Sequence, residues 1–273
     1  MRKLLLLSAV VVAFLGCKTA PETKPSAAPT LTSQEVAVDQ SLTDFKLNFS
    51  GVMQSAEAAR IEKADYELVV EGKVVKSGEA PLGVDVPAGG SAPFKLDASG
   101  RYVSSAEELK AMSEKSGSLL AALRGKLHVK TPSGMQVVEF ARSKEVRVPR
   151  LPKVKMNEAE GARFSDEEVN IVFYLGVENP NPFTLQINGI QYTATVAGKQ
   201  LGESKIGGGE HVSPSSTGVF EIPITFNKDT YGPDVKAKVK TNTLPYSLKG
   251  SLSGDLFEVP FELTGDLKLN VSK

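Results

Sequence analysis

The side chains in this sequence that could do chemistry are few, and their spacing limits what they could do. His128 and His211 are the only two histidines of the 273 residues. Neither has a second histidine at ligand spacing, so a metal site would need carboxylates gathered by folding. No Gly-x-Ser-x-Gly elbow occurs, which leaves nucleophilic acyl transfer without a motif. Asp166, Glu167 and Glu168 could supply paired carboxylates for acid–base work, but they directly precede an apolar run and read first as the solvated, edge-guarding start of a strand. Gly207-Gly208-Gly209 lacks the following Lys-Ser/Thr of a phosphate loop. Lys236, Lys238 and Lys240 alternate with Ala237 and Val239, which reads as the wet face of an element, the other reading being a patch for anionic lipid or polymer. We therefore expect no catalytic residue, no metal and no cofactor. Lys+Arg and Asp+Glu balance at 32 each, so nucleic acid is not an expected partner.

Cys17 is different, because its setting suggests a use. Met1-Arg2-Lys3 is a positive segment, and the apolar run Leu4 to Leu15 is too short to span a bilayer comfortably. Residues 1–16 read as an export signal. The run Phe14-Leu15-Gly16-Cys17 resembles the lipobox of bacterial lipoproteins, in which the cysteine becomes the lipidated first residue after cleavage; Phe14 stands where the box usually has Leu. Cys17 is the only cysteine, which excludes an intramolecular disulfide. Several acyl chains on one residue give durable membrane attachment, whereas a single chain is marginal. Residues 17–33 then form a tether with prolines at 21, 25 and 29; about 16 residues at roughly 3.1 Å each reach up to ~50 Å. Without residues 1–16 the chain carries 30 basic and 32 acidic residues and is nearly neutral.

The remaining stretch that breaks ordinary strand grammar is Asn179-Pro180-Asn181-Pro182-Phe183. Proline removes a ladder donor, so a central strand should not carry two of them. The prolines push the asparagines toward extended conformations, and asparagine side chains can bond nearby backbone in place of the lost ladder. A structural role is the stronger reading, with strand pairing ending or bending there so that Phe183 and Leu185 turn inward.

The elements that carry these residues come in two copies. At a constant offset of 126, Tyr66 matches Tyr192, Gly72-Lys73 matches Gly198-Lys199, Val75 matches Leu201, Phe94 matches Phe220 and Leu96 matches Ile222. Gly51-Val52 matches Gly176-Val177 with a one-residue shift. Gly125 and Leu127 match Gly250 and Leu252, and Phe140, Val146 and Val148 match Phe261, Leu267 and Leu269 once the loop at Thr131-Pro132-Ser133-Gly134 is shortened. Short alternating strands, 24 glycines and 16 prolines give the rhythm of a β-sandwich, and Glu71-Gly72 and Ala197-Gly198 read as hairpin tips. In copy one, Ser105 to Glu108 has capping-box spacing, and Leu109, Met112, Leu119, Leu120 and Leu123 mark one side of a helix docked on the first sandwich. The expected fold is all-β, with two tandem immunoglobulin- or fibronectin-III-like sandwiches at 34–149 and 150–273, the first bearing the helix.

With Val169 to Val177 running into Asn179–Phe183, then Leu185-Gln-Ile187, Ile190-Gln-Tyr192 and Gly198-Lys199-Gln-Leu201, the second module resembles the LEA14-like family, late embryogenesis abundant proteins of type 2, also called the water stress and hypersensitive response domain. Copy one departs from it, with Gln54 to Arg60 in place of the Asn-Pro pairs. The resemblance implies a compact sandwich, no catalytic residues, and an association with water stress and the cell envelope. The expected function is that of a lipid-anchored, non-enzymatic envelope protein, protective or protein-binding, attached to the membrane through Cys17. Lys18 in place of Asp after the cysteine favours the outer membrane, facing the periplasm or the surface. The alternative is a carrier that holds a lipid or other hydrophobic ligand in a crevice between the sandwiches or under the helix. Partner proteins and oligomeric state are not legible.

Overall fold

In the computed structural model, which describes residues 27–115, 117–164, 168–227 and 243–269, strands alternate apolar and polar side chains in the order that two stacked sheets require. Copy one comprises β1 (Thr30–Gln40), β2 (Asp44–Ser55), β3 (Ala59–Val70), β4 (Lys73–Val86), β5 (Gly90–Arg101), the helix α1 (Ala106–Ser113), β6 (Ser118–Thr131) and β7 (Gly134–Arg147). Copy two comprises β8 (Lys153–Phe164), β9 (Glu168–Glu178), β10 (Leu185–Val196), β11 (Lys199–Val212), β12 (Thr217–Asn227), β13 (Thr243–Gly254) and β14 (Phe257–Leu269). On β2, Phe45, Leu47, Phe49 and Met53 point into one core; on β9, Ile171, Phe173, Leu175 and Val177 point into the other.

The sheet order is the same in both copies. In the first, β1-β2-β5 faces β4-β3-β6-β7. In the second, β8-β9-β12 and β11-β10-β13-β14 repeat that order and are joined along one seam by a short parallel pairing, Lys268 with Glu160 and Leu269 with Gly161. At the matching seam of copy one, Arg142 Nε donates to the Gln34 carbonyl across 3.0 Å. Strands β3 and β10 begin and end 126 residues apart, as do β4 and β11. The chain is thus a tandem duplication in structure as well as in sequence.

Two local devices are repeated as well. The hairpin loops have positive φ at both residues, 48° and 77° at Glu71-Gly72, 54° and 84° at Ala197-Gly198, the geometry of a two-residue turn matched to strand twist. Glu71 and Ala197, neither of them glycine, are held there by equivalent bonds from their N–H groups to Leu120 O (3.0 Å) and Pro245 O (2.7 Å). Gly125 and Gly250 mark a second device. A Cβ at either would lie 2.0 Å from a neighbouring carbonyl, of Asp65 and Gln191 respectively, and the rings of Phe140 and Phe261 cover the spot. Each glycine pairs with the tyrosine of its own copy, Tyr66 or Tyr192, so a close backbone crossing explains why these positions match in the sequence.

The structure corrects four details of the sequence reading. First, the helix stops at Ser113, and Leu119, Leu120 and Leu123 lie on β6; Gly117, at φ 131°, breaks the run, and the ladder with β7 outweighs helical spacing. Second, the buried residue of α1 packs into the second sandwich and not the first, although Met112 borders a cleft of copy one. Leu109 is fully buried within the apolar cluster of copy two, beside β14, with Val103 also in that cluster and Leu42, Tyr102, Met112 and Leu151 packed against it. Third, β1 opens at Thr30, inside the stretch read as tether. Fourth, the β13–β14 hairpin is shortened in its arms: Pro132-Ser133 and Asp255-Leu256 are both two-residue connections, while β6 and β7 have 14 residues each and β13 and β14 have 12 and 13. The ladders also shift one correspondence, because with Leu96 matched to Ile222 it is Leu175, and not Gly176, that takes the inward place of Gly51.

Leu109→Ala should destabilise the protein by about 2–5 kcal/mol, as a large-to-small change in a closed core does. Hydrogen exchange will show where: amides of β13 and β14 should lose protection ahead of those in β2 and β3, whereas the reverse order would mean that the helix supports the first copy.

Candidate functional site

Pro149 and Pro152 remove backbone donors on either side of Arg150, so this linker between the copies cannot join a ladder and its remaining polar groups need other partners. Asn181 supplies them. Its Oδ1 accepts from Arg150 N at 2.8 Å and its Nδ2 donates to Arg150 O at 2.8 Å, so the side-chain amide stands in for a neighbouring strand. Asn179 holds Asn181 in place, its Oδ1 accepting from both the main-chain N (3.0 Å) and the Nδ2 (3.1 Å) of Asn181. On its other side, Asn179 Nδ2 lies within hydrogen-bond distance of three carbonyls, Phe183 (2.7 Å), Val212 (3.1 Å) and Ser213 (3.1 Å). The main chain completes the knot through Asn179 N to Ser216 O and Ser215 N to Asn181 O.

Both asparagines are about 1% exposed, so these bonds are shielded from water, where an unmade one costs most. Pro180 is half-buried and Pro182 exposed; Leu185 turns into the core, while Phe183 is only half-buried. The motif therefore staples the inter-copy linker to the end of β9 and to the β11–β12 turn. The ladders place Ser55 of copy one where copy two has Asn179, and Ser55 too is buried and polar. Copy one reaches the same strand order without the Asn-Pro pairs, and the segment leading into it, 27–29, has no counterpart of the Asn181 clamp among the described residues.

The junction has further contacts. Gln40 Nε2 donates to Tyr102 Oη (2.7 Å) and to Arg147 O (2.8 Å), and Val148 N donates to Gly117 O (3.2 Å). Burial pushes the Tyr102 hydroxyl up from the ordinary phenol range, opposed by the bond from Gln40. Ser105 caps α1 by accepting from Glu108 N at 3.2 Å, and Glu108 returns a bond to Ser104 N, one residue earlier than the usual reciprocal cap. Arg150 was not singled out in the sequence; the proline on either side of it was the available signal.

The other chemistry-bearing residues are dispersed. His128 on β6 bonds Asp65 on β3 (Nε2 to Oδ2, 2.7 Å), and this bond, with Lys63 beside it, holds the Asp65 carboxyl below its ordinary range. His211 is exposed on β11, away from His128. Among the described residues no group of three or more His, Cys, Asp or Glu is placed to hold a metal, and no helix is long and apolar enough to cross a membrane. Gly207–Gly209 lie within β11. Cys17, Asp166, Glu167, Lys236, Lys238 and Lys240 lie outside the described residues, while Glu168 opens β9. Matching open grooves of about 660 and 760 Å³ lie over the Tyr66–Gly125 and Tyr192–Gly250 pairs, and three of their charged residues are paired, Arg124 with Glu67, Asp65 with His128 and Lys249 with Glu262.

The profile of the late embryogenesis abundant protein family matches residues 57–144 and 174–265, one segment in each copy and together more than half of the chain. The chain belongs to that family, type 2. In this late embryogenesis abundant protein the second matched segment contains Asn179–Phe183, whereas the first begins just after Ser55. No curated protein matches it. Similar solved structures include the solution structure of an Arabidopsis thaliana protein, at 20% identity over 46% of this chain and 87% of that one, with a TM-score of 0.39. A crystal structure of an Archaeoglobus fulgidus protein is similar at 15% identity over 44% of this chain and 98% of that one, with a TM-score of 0.31.

Removing the Asn181 amide strands two main-chain groups of the linker, so Asn181→Ala should cost about 2–4 kcal/mol in urea unfolding, and Asn179→Ala at least as much. Pro180→Ala and Pro182→Ala should each stay within about 1 kcal/mol. Equal losses at the prolines and the asparagines would show that the bend matters more than the amide bonds.

Proposed function

We propose that this late embryogenesis abundant protein is a non-enzymatic, lipid-anchored component of the cell envelope that presents a stiff double sandwich to envelope proteins or surfaces, with a protective role under water stress. The observation that carries the reading is the junction: Leu109 of copy one buried in the core of copy two, and the linker clamped by Asn181, tie the repeats together. Such a tied pair is suited to presenting surface at a fixed distance. Cys17 and the proline-bearing segment behind it supply the attachment in this reading, and Lys18 favours the outer membrane.

Cys17→Ser should move the protein from the membrane fraction to the soluble fraction of its own cells, with its folded body unchanged by circular dichroism; persistent tight membrane attachment would overturn the anchor. A deletion strain should survive drying and osmotic shock less well than its parent. Normal survival, combined with in-cell crosslinks to one assembly, would replace protection by scaffolding.

A carrier role is the second reading, and one cleft favours it. Phe45, Val70, Val75, Tyr102, Met112 and Leu119 form the apolar part of a space of about 420 Å³ between the sheets of copy one and beside α1, which Lys76, Ser99 and Arg101 also line. That volume lies within the usual range of small-molecule sites. Native mass spectrometry of protein extracted from its own membranes should show a bound hydrophobic mass, absent from the Val75→Trp variant, if the cleft is occupied; a ligand-free species would remove the carrier reading.

A further inference from the structure

The arginines of this protein differ in what they do. Among those with described side chains, Arg60, Arg101 and Arg124 meet the carboxylates of Asp85, Asp44 and Glu67, and Arg142 donates to the carbonyls of Gln34 and Ala141. Arg147 and Arg150 alone have no partner for their guanidinium groups among the described residues, although the backbone of each is fixed, Arg147 O by Gln40 Nε2 and Arg150 by Asn181. Both line the same cleft, about 280 Å³ in volume, at the junction of the copies. Ser118 lies opposite Arg147 in the β6–β7 ladder, Glu145 contributes the one carboxylate, and Pro182 with Asn181 forms the wall from copy two.

We propose that this cleft binds a phosphate group through Arg147 and Arg150. Two arginines and a serine line this small polar space, and guanidinium groups supply forked donors suited to a tetrahedral oxyanion, a match that lysine side chains do not provide. The Ser118 hydroxyl is free to turn toward a ligand, because its present contact with Glu145 Oε2 is long, at 3.4 Å. A volume just under the usual range of small-molecule sites selects a small ligand, such as inorganic phosphate or the terminal phosphate of a larger molecule. Glu145 lowers the net charge of the cleft and so weakens the site without removing it. The phosphate could be free or belong to a lipid headgroup. The cleft lies at the Gln40 end of β1, about 33 Å along the strand from Thr30, and with attachment through Cys17 that distance favours a free phosphate over a headgroup of the anchoring membrane. A bound anion would touch both copies and the linker at once, and would tighten the junction. The proposal does not depend on lipid attachment.

The test uses the full chain carrying Cys17→Ser, titrated calorimetrically with inorganic phosphate at low salt, and in parallel floated with vesicles containing phosphatidic acid. Saturable one-to-one binding is expected, weakened at least tenfold by Arg147→Ala and by Arg150→Ala, strengthened several-fold by Glu145→Gln, and unchanged by Lys46→Ala, whose side chain is paired with Asp97. Phosphate should raise the thermal midpoint of the wild-type chain and not that of the two arginine variants. Vesicle capture that needs both arginines, without binding of inorganic phosphate, assigns the site to a headgroup and keeps the proposal. A dissociation constant weaker than about 10 mM in both arms, or binding indifferent to both arginines, overturns it.

Discussion

A sandwich of two sheets buries its faces but leaves its ends open, and here one end is closed by a side chain from the other repeat. Leu109 sits on an eight-residue helix that belongs by sequence to copy one and is fully buried in copy two. So short a helix has little stability of its own, and its apolar contacts hold it in place. The segment that follows the helix also reaches the linker, since Gly117 O accepts from Val148 N and Gly117 lines the cleft beside Arg147. Independent rotation of the copies would have to expose Leu109, Val103 and the apolar residues packed around them to water.

The duplicated parts of the fold were legible in the sequence because they rest on local rules. Gly72 and Gly198 mark turns that need positive φ, and Gly125 and Gly250 mark strands that another backbone approaches closely; both constraints recur wherever the geometry recurs. On β9 alternation alone did not name the buried face, because Val169 to Val177 is apolar in both phases; packing sets Ile171, Phe173, Leu175 and Val177 inward. The helix was half legible: Ser105 and Glu108 announced its start, but Leu119, Leu120 and Leu123 kept helical spacing inside a strand, where pairing with β7 decides the outcome. Which sandwich the helix would meet could not be read at all, since Leu109 is equally apolar on either.

The Asn-Pro segment shows the same limit from the other side. Its residue types pointed to side-chain bonds replacing a ladder, and the bonds from Asn179 to Phe183 and to Asn181 are of that local kind. The bonds to Arg150 span 31 residues, and no spacing rule connects Asn181 with a linker residue so distant in the chain. Arg147 and Arg150 escaped attention for a related reason, because a lone arginine in a sequence does not show whether a carboxylate will reach it.

The direction of β1 has a mechanical consequence. Its first residue, Thr30, pairs with Gln54, and its last, Gln40, pairs with Phe45 close to the junction, where Leu42 packs against the second core. A pull applied at Thr30 and resisted by copy two therefore runs lengthwise along the β1–β2 ladder. Its hydrogen bonds are loaded together, in shear, instead of being peeled one at a time. Resistance to such a pull is set by the rate of crossing the unfolding barrier rather than by equilibrium stability, so the same strand order can withstand brief tension far beyond what its net folding free energy suggests.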